Sequence, residues 1–363
     1  MTNRTLNTRA AHVLIDRAAV THNLQRVREL TPNSKIMAVV KADGYGHSME
    51  VAAQALGSAD EFAVTGLDDV RRLRQAGIDK AITMLSSNFG VNDLNVMAKN
   101  AVRPVIYDHE QLSLLSNLDS NAALDLWLKL DTGMGRLGFS EQDLHLVVEK
   151  LLTNVGVNSV SLMTHLANAD APQHPSNSKQ ISAFLRFSEN YSFHQLSILN
   201  SAGTIAFSDQ AQDIVRPGIM LYGVSPDSDR SAVSLGLKPA MTFKSELISV
   251  KQLPAGSPVG YGSRYTLDSD TRIGVIACGY ADGFPRHVAS GTLVLVNGML
   301  VPIIGRVSMD LMTVELGEMP ASVGDSVTLW GADNPVEHIA QAAETIAYEL
   351  LCGITQRVER III

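Results

Sequence analysis

The chain is poor in cysteine and has no long apolar run. Two cysteines among 363 residues, Cys278 and Cys352, cannot build a disulfide framework, and neither sits in a Cys-x-x-Cys pair with histidines at metal spacing. A reducing, cytoplasmic compartment is therefore the simplest expectation, and no metal site is expected. No stretch approaches about 18 uninterrupted apolar residues, and residues 1–7 lack the apolar centre of a signal peptide, so neither a membrane span nor a secretory leader is expected. Positive charge is in deficit too: 29 Lys and Arg against 37 Asp and Glu leave a net charge of −8. Nucleic-acid binders usually concentrate basic residues on one face, so nucleic acid is not an expected partner.

What is present fits a soluble globular protein, with 45% hydrophobic and 18% charged residues. At about 100–200 residues per domain, the length suggests two domains or one large barrel with an addition. From residue 35 to 223, short apolar or β-branched runs alternate with segments of helical period, about eight times over. Strands are expected at 35–41, 61–66, 81–86, 103–108, 124–131, 160–165, 195–201 and 213–216. Helices are expected at Arg17–Leu30, capped by Asp16, and at 178–189 and 141–154, where Leu144, Val147, Val148 and Leu151 recur at helical spacing. Eight such units predict an α/β fold, a closed (β/α)₈ barrel of the TIM type. After Tyr222 the texture changes to short β-type runs broken by Pro and Gly, including the hairpin signal Asn297-Gly298, with one helix expected at 339–351. The expected division is a barrel over residues 1–235 and a mostly antiparallel β domain over 236–363.

Catalytic residues of such barrels lie at the C-terminal ends of strands. Lys41 closes the first strand, His165 the sixth, Asn200 and Ser201 the seventh, and Arg216 the eighth. An ammonium ending the apolar run Ile36–Val40 is expensive to desolvate, which lowers its pKa as Schiff-base lysines require. A lone lysine there would ordinarily snorkel to water; the company it keeps favours chemistry. A phosphate site is expected after strands seven and eight, where Ser201-Ala202-Gly203-Thr204 and Gly218-Ile219 supply hydroxyls and N–H groups. Alone, that tetrapeptide reads as a helix cap. Together with Lys41 it suggests a phosphate-bearing aldehyde cofactor.

With these residues in place, the chain resembles the pyridoxal-phosphate-dependent alanine racemases. The resemblance is carried by Ala38-Val39-Val40-Lys41-Ala42-Asp43-Gly44-Tyr45-Gly46-His47 and by Lys129-Leu130-Asp131-Thr132-Gly133-Met134-Gly135-Arg136-Leu137-Gly138. Val215-Arg216-Pro217-Gly218-Ile219, Val259-Gly260-Tyr261-Gly262, Gly279-Tyr280-Ala281-Asp282-Gly283 and Gly305-Arg306-Val307-Ser308-Met309-Asp310 follow in the family's order. It implies a homodimer whose sites draw on both subunits, the cofactor pyridoxal 5'-phosphate, and L- and D-alanine as substrates. Lys41 would form the internal imine and act as one base, with Tyr261 from the partner subunit as the other. His165 would lie between Tyr261 and Arg216, and Arg216 would meet the pyridine nitrogen. Tyr45, Tyr348, Asn200, Ser201, Gly218 and Ile219 would hold the cofactor, the phosphate above all. Met309 and Asp310 of the partner would line the substrate carboxylate pocket. Lys129 is carbamylated in relatives, which would hold Arg136 toward the substrate; a plain pair with Asp125 or Asp131 is the alternative. The role of Asp282 stays open between a turn, dimer support and the substrate entrance. His12, His22, His109, His145, His174, His194, His287 and His338 read as surface or core histidines.

Racemisation removes a proton from one face of Cα and returns one to the other, so two bases on opposite sides suit it. An ordinary phenol titrates near about 10, and bringing one to about 7 takes about 4 kcal/mol of phenolate stabilisation from nearby cations. A small pocket bounded by Tyr261, Tyr348 and Met309 would favour alanine, although packing discriminates by only about 1–3 kcal/mol per methylene. Broader or serine racemisation, a non-catalytic pyridoxal phosphate carrier and a decarboxylase on the same fold are the alternatives. The family's product, D-alanine, serves peptidoglycan of the cell wall or alanine catabolism.

Overall fold

The computed structural model describes residues 9–119, 123–152, 156–227 and 230–363. The expectation about residues 1–7 and the last residues of the helix expected at 141–154 lie outside them. A short strand, β1 (His12–Ile15), precedes the helix Arg17–Leu30, whose first turn is capped by Asp16 accepting the Ala19 N–H at 2.9 Å. Eight parallel strands follow: β2 (Lys35–Val39), β3 (Glu61–Val64), β4 (Ile82–Met84), β5 (Val102–Ile106), β6 (Leu124–Lys129), β7 (Val157–Met163), β8 (Leu196–Ser197) and β9 (Ile214–Val215). They stand in the order β8-β7-β6-β5-β4-β3-β2-β9. The seam between β8 and β9 is drawn together by the Arg216 N–H on the Leu199 carbonyl at 2.8 Å and the Ser197 hydroxyl on the Ile214 carbonyl at 2.6 Å. The sheet is thus a near-closed barrel of the TIM type. Ile36 through Val40 are all buried, because a barrel strand is covered on both faces. In the helix Glu141–Leu152, the periodic Leu144, Val147, Val148 and Leu151 are all buried, presumed core from their spacing and core in fact.

The second unit is mostly antiparallel. Its strands are β10 (Met241–Leu253), β11 (Pro258–Val259), β12 (Tyr265–Thr266), β13 (Thr271–Ile276), β14 (Leu293–Val296), β15 (Met299–Ile304), β16 (Met312–Glu315), β17 (Ser326–Trp330) and β18 (Glu359–Ile362). The large sheet runs β13-β16-β15-β14-β17-β10-β1-β18, and β10 pairs with β13 as well, so the first six strands close on themselves. β11 and β12 form a separate pair. The β14–β15 turn has Asn297 and Gly298 both at positive φ, as a type I′ hairpin requires.

Two features differ from the sequence reading. β1, ahead of the barrel in the chain, pairs antiparallel with β10 and parallel with β18, inside the second sheet. The helix expected at 339–351 is two helices, Val336–Ala342 and Ala347–Cys352. Glu344 between them takes φ +53, and the N–H groups of Ala343 and Thr345 both return to the Ala340 carbonyl. Apolar periodicity runs through this point and hides it; the left-handed residue ends one helix, and the next begins after Ile346 with Thr345 bonded to the Glu349 side chain.

Candidate active site

A cavity of about 530 Å³ opens at the C-terminal ends of the barrel strands. From the barrel it is lined by Lys41, Tyr45, Lys129, Arg136, His165, Asn200, Ser201, Arg216, Gly218 and Ile219. Tyr348, from the helix Ala347–Cys352 of the second unit, closes one side. Four cationic residues face this space and no carboxylate lines it. Such a cavity is built for anions.

Lys41 ends up here because the chain reverses immediately after β2. Ala42, Asp43, Gly44 and Tyr45 take φ of 53, 54, 63 and 51°, four consecutive residues in left-handed conformation, and Gly46 follows at 81°. L residues avoid this region by about 1–2 kcal/mol each, so the turn must be held by its surroundings. Within it, Gly44 N–H bonds the Val40 carbonyl and Gly46 N–H the Ala42 carbonyl. From the barrel wall, Asp43 accepts the Met49 N–H at 3.2 Å and an Arg72 N–H at 2.7 Å, while Arg72 also grips Glu50. The result turns the Lys41 amine and the Tyr45 ring toward the same cavity. Burial, and then the Arg136 charge, lower the Lys41 pKa from its ordinary value, which favours the free amine.

Arg136 is delivered by a pinned loop. Phe139 exchanges backbone bonds with Lys129 and Asp131 at its base, and the Asp131 carboxylate accepts the N–H groups of Gly133, Met134 and Gly135. Gly138 must be glycine there: its φ is +128°, and a Cβ would stand 2.8 Å from the Asp131 nitrogen. Asp131 is thereby committed to the loop, and Asp125 bonds Ser159 and lies 4.0 Å from Arg103. Neither makes an ion pair with Lys129 among the described residues. Lys129 is 8% exposed, and desolvation, with Arg216 and Arg136 nearby, lowers its pKa to about 8.

Arg216 is buried and aimed by its terminal nitrogens, which donate to the Ser197 hydroxyl and to the Thr164 and Ile198 carbonyls. Burial lowers its pKa to about 10, which still leaves it cationic at neutral pH. His165 shares the cavity and is pushed down to about 3 by burial and then by Arg216. Its Nε2 lies 3.5 Å from the Asn200 amide, and no bond joins it to Arg216 among the described residues.

The opposite end offers neutral donors. Asn200 caps the short helix Ser201–Ala206 by accepting the Gly203 N–H at 2.9 Å. Ser201 Oγ accepts the Gly218 N–H at 2.8 Å, which leaves its own proton free to donate. A Cβ on Gly218 would fall 2.3 Å from Tyr45 Oη, so only glycine lets the phenol reach this corner. Tyr45 stacks on Tyr222, ring centroids 4.9 Å apart, and faces Tyr348 at 6.1 Å. Burial raises both the Tyr45 and Tyr348 phenols, which keeps them protonated hydrogen-bond donors.

Three expected residues lie elsewhere on this chain. Tyr261, 69% exposed, sits on the one-turn helix Tyr261–Ser263 between Gly260 and Gly262, both at positive φ. Met309 is 53% exposed, and Asp310 beside it is held by Arg357 at 2.6 Å. Asp282, fully buried, ties the Gly279 N–H, Arg9 and Arg357 together, so it anchors the turn next to Asp310. Sequence reasoning missed Arg357 and the cavity residues Cys352, Leu85 and Ser86, which carry no motif of their own.

Among the described residues no group of three or more His, Cys, Asp or Glu is placed to hold a metal ion, and no helix is long and apolar enough to cross a membrane. The family profile described as alanine racemase, N-terminal domain, matches residues 15–226, and that for the alanine racemase C-terminal domain matches 240–362. The chain is 43% identical over 355 residues to the alanine racemase of Nitrosospira multiformis, covering 97% of this chain and 99% of that one. It is 43% identical over 352 residues to the protein of Escherichia coli K12 named alanine racemase, biosynthetic, covering 96% and 98%. The crystal structure of biosynthetic alanine racemase from Pseudomonas aeruginosa superposes with a TM-score of 0.95 at 38% identity, covering 98% of this chain and all of that one. By profile, whole-length identity and fold alike, the chain belongs to the alanine racemases, a family of isomerases.

Proposed function

We propose that this chain interconverts L-alanine and D-alanine by a two-base mechanism, with pyridoxal phosphate in the cavity and a second copy of the chain completing it. The carrying observation is the ring of Lys41, Lys129, Arg136 and Arg216 around a space with no carboxylate, next to the Ser201 hydroxyl, the Gly218 backbone and the Tyr45 and Tyr348 phenols. That donor set fits a phosphate and a substrate carboxylate, and the absence of a side chain at Gly218 lets the Tyr45 hydroxyl join it. When bound, pyridoxal phosphate supplies the aldehyde that joins an amine and the conjugated ring that acidifies Cα–H.

Lys41, desolvated toward its free amine, is suited to bind that aldehyde and to take or return the Cα proton on one face. Tyr261 serves the other face from the partner subunit; its exposure, shared by Tyr280, Met309 and Leu311, supports a surface that a second copy covers. Met309 and Asp310 cross with it and line the carboxylate end. Arg136 holds the carboxylate, steadied by Lys129 as a carbamate: an amine lowered to about 8 is half neutral near that pH, and its neutral form takes up carbon dioxide. Arg216, keeping its proton at neutral pH, would meet the ring nitrogen of the bound cofactor and keep it unprotonated. His165, kept neutral by burial, would relay hydrogen bonding toward the partner's Tyr261 once a second copy brings it in. The name of the biosynthetic relative favours supply of D-alanine, for which peptidoglycan is the proposed use, over alanine catabolism. Two free cysteines support a cytoplasmic setting.

Solvent deuterium incorporation at Cα tests the proton assignment. Wild type exchanges both enantiomers, while Lys41→Ala and Tyr261→Phe lose exchange with opposite enantiomer biases. Equal loss for both enantiomers in both variants rejects the two-base reading.

A further inference from the structure

The left-handed turn after Lys41 is held from the second unit as well as from the barrel. Arg360, on β18, donates Nε–H to the Gly46 carbonyl at 3.0 Å. Its terminal nitrogens reach the carbonyls of Ile354, Val358 and Thr355 at 3.2, 3.3 and 3.4 Å. Those carbonyls belong to the segment after the helix Ala347–Cys352, which carries Tyr348. One planar head with donors in fixed directions thus joins the end of the turn to the segment behind Tyr348, a task a lysine's point charge fulfils only in part. Packing at the same place is backbone to backbone: a Cβ on Gly46 would fall 2.1 Å from the Leu351 carbonyl oxygen.

The turn's own backbone bonds, the Met49 N–H on Asp43 and His47 against the Gly44 and Tyr45 carbonyls help to hold Ala42, Asp43 and Tyr45 at their unfavourable positive φ. Two outside grips do so as well, the Arg72–Asp43 pair and the Arg360–Gly46 bond. The first is about two-fifths exposed and screened by water. The second is part-buried and binds carbonyls, so salt weakens it less.

We infer that Arg360 is a positioning residue for cofactor capture, clasping the left-handed turn against the Tyr348 segment so that Lys41, Tyr45 and Tyr348 face one cavity before the ligand arrives. This rests on the reading of that cavity as the pyridoxal phosphate site. Arg360 does not line the cavity and acts through the Gly46 carbonyl.

The test titrates pyridoxal phosphate into full-length cofactor-free wild type, Arg360→Ala and Arg360→Lys, following the absorbance of the bound cofactor, and records the melting of each cofactor-free protein. Arg360→Ala should bind about tenfold or more weakly, the loss of a charge-assisted bond, with Arg360→Lys between it and wild type. Arg360→Lys should melt with wild type, and at saturating cofactor both variants should regain kcat with KM for alanine near wild type. Equal affinity in all three proteins overturns the inference while leaving the site reading intact. So does a failure of both variants to fold, which would make Arg360 a general stability residue. Wild type that takes up no cofactor overturns the site reading and the inference with it.

Discussion

Each cation in the cavity is held or tuned differently, and each has its own signature. Lys129 has lost most of its solvent, and its pKa falls to about 8 from 10.5. Between those values the unfolded chain holds more protons than the folded one, so this group's contribution to stability rises as pH goes from about 8 to 10.5. In cofactor-free protein and bicarbonate-free buffer, Lys129→Met should therefore be more stable than wild type at pH 8 and below, by on the order of 1–3 kcal/mol. Denaturant melts should show that gap narrowing toward pH 10; a constant gap would mean that Lys129 is not the titrating group. The role proposed for Arg216 is control of fidelity instead. Replacing it by Glu puts an acid where a fixed cation stood, so Arg216→Glu should raise the ratio of transamination to racemisation, read as keto-acid formed per enantiomer interconverted. An unchanged ratio would remove Arg216 from that role. Lys41 and Arg216 were legible in the sequence because they stand in motifs at strand ends, and Arg136 through the motif that the chain shares with the family it resembles. Arg357 and Arg360 were not, because their partners lie far along the chain and no local spacing points to them.

Among the elements, those that place the site are loops under external control. Asp131 spends its carboxylate on three backbone N–H groups of the loop that carries Arg136. Asp131→Ala should cost about 1–3 kcal/mol of stability and lower kcat/KM for alanine about tenfold or more, through a looser Arg136. Kinetics and melting on the same sample check this; a stability loss with unchanged kcat/KM would show that the loop does not aim Arg136. Strand positions were readable from apolar runs, and all eight expected barrel strands overlap those found. The turn after Lys41 was not readable, since Gly44 and Gly46 suit left-handed backbone while Ala42, Asp43 and Tyr45 are forced there by tertiary contacts. β1 escaped notice for a related reason: four residues beside a long helix give little periodicity, and what makes them a strand is β10 and β18 at distant positions.

Across the whole molecule, the proposed chemistry is divided between the barrel, which gathers one half, and the surface of the second unit, which would offer the other. Tyr348 and Cys352 reach from the second unit into the cavity of their own chain, whereas Tyr261, Met309 and Asp310 face outward. On the proposed mechanism a single chain has one base in place, and a twofold pairing would supply the other, each copy giving Tyr261 to its partner. The most direct test mixes two separately inactive proteins, Lys41→Ala and Tyr261→Phe, and lets their subunits exchange. A composite site predicts that activity returns, because each mixed dimer rebuilds one intact pair of bases, about one site in four after full exchange. Activity that stays absent despite demonstrated subunit exchange would contradict the account.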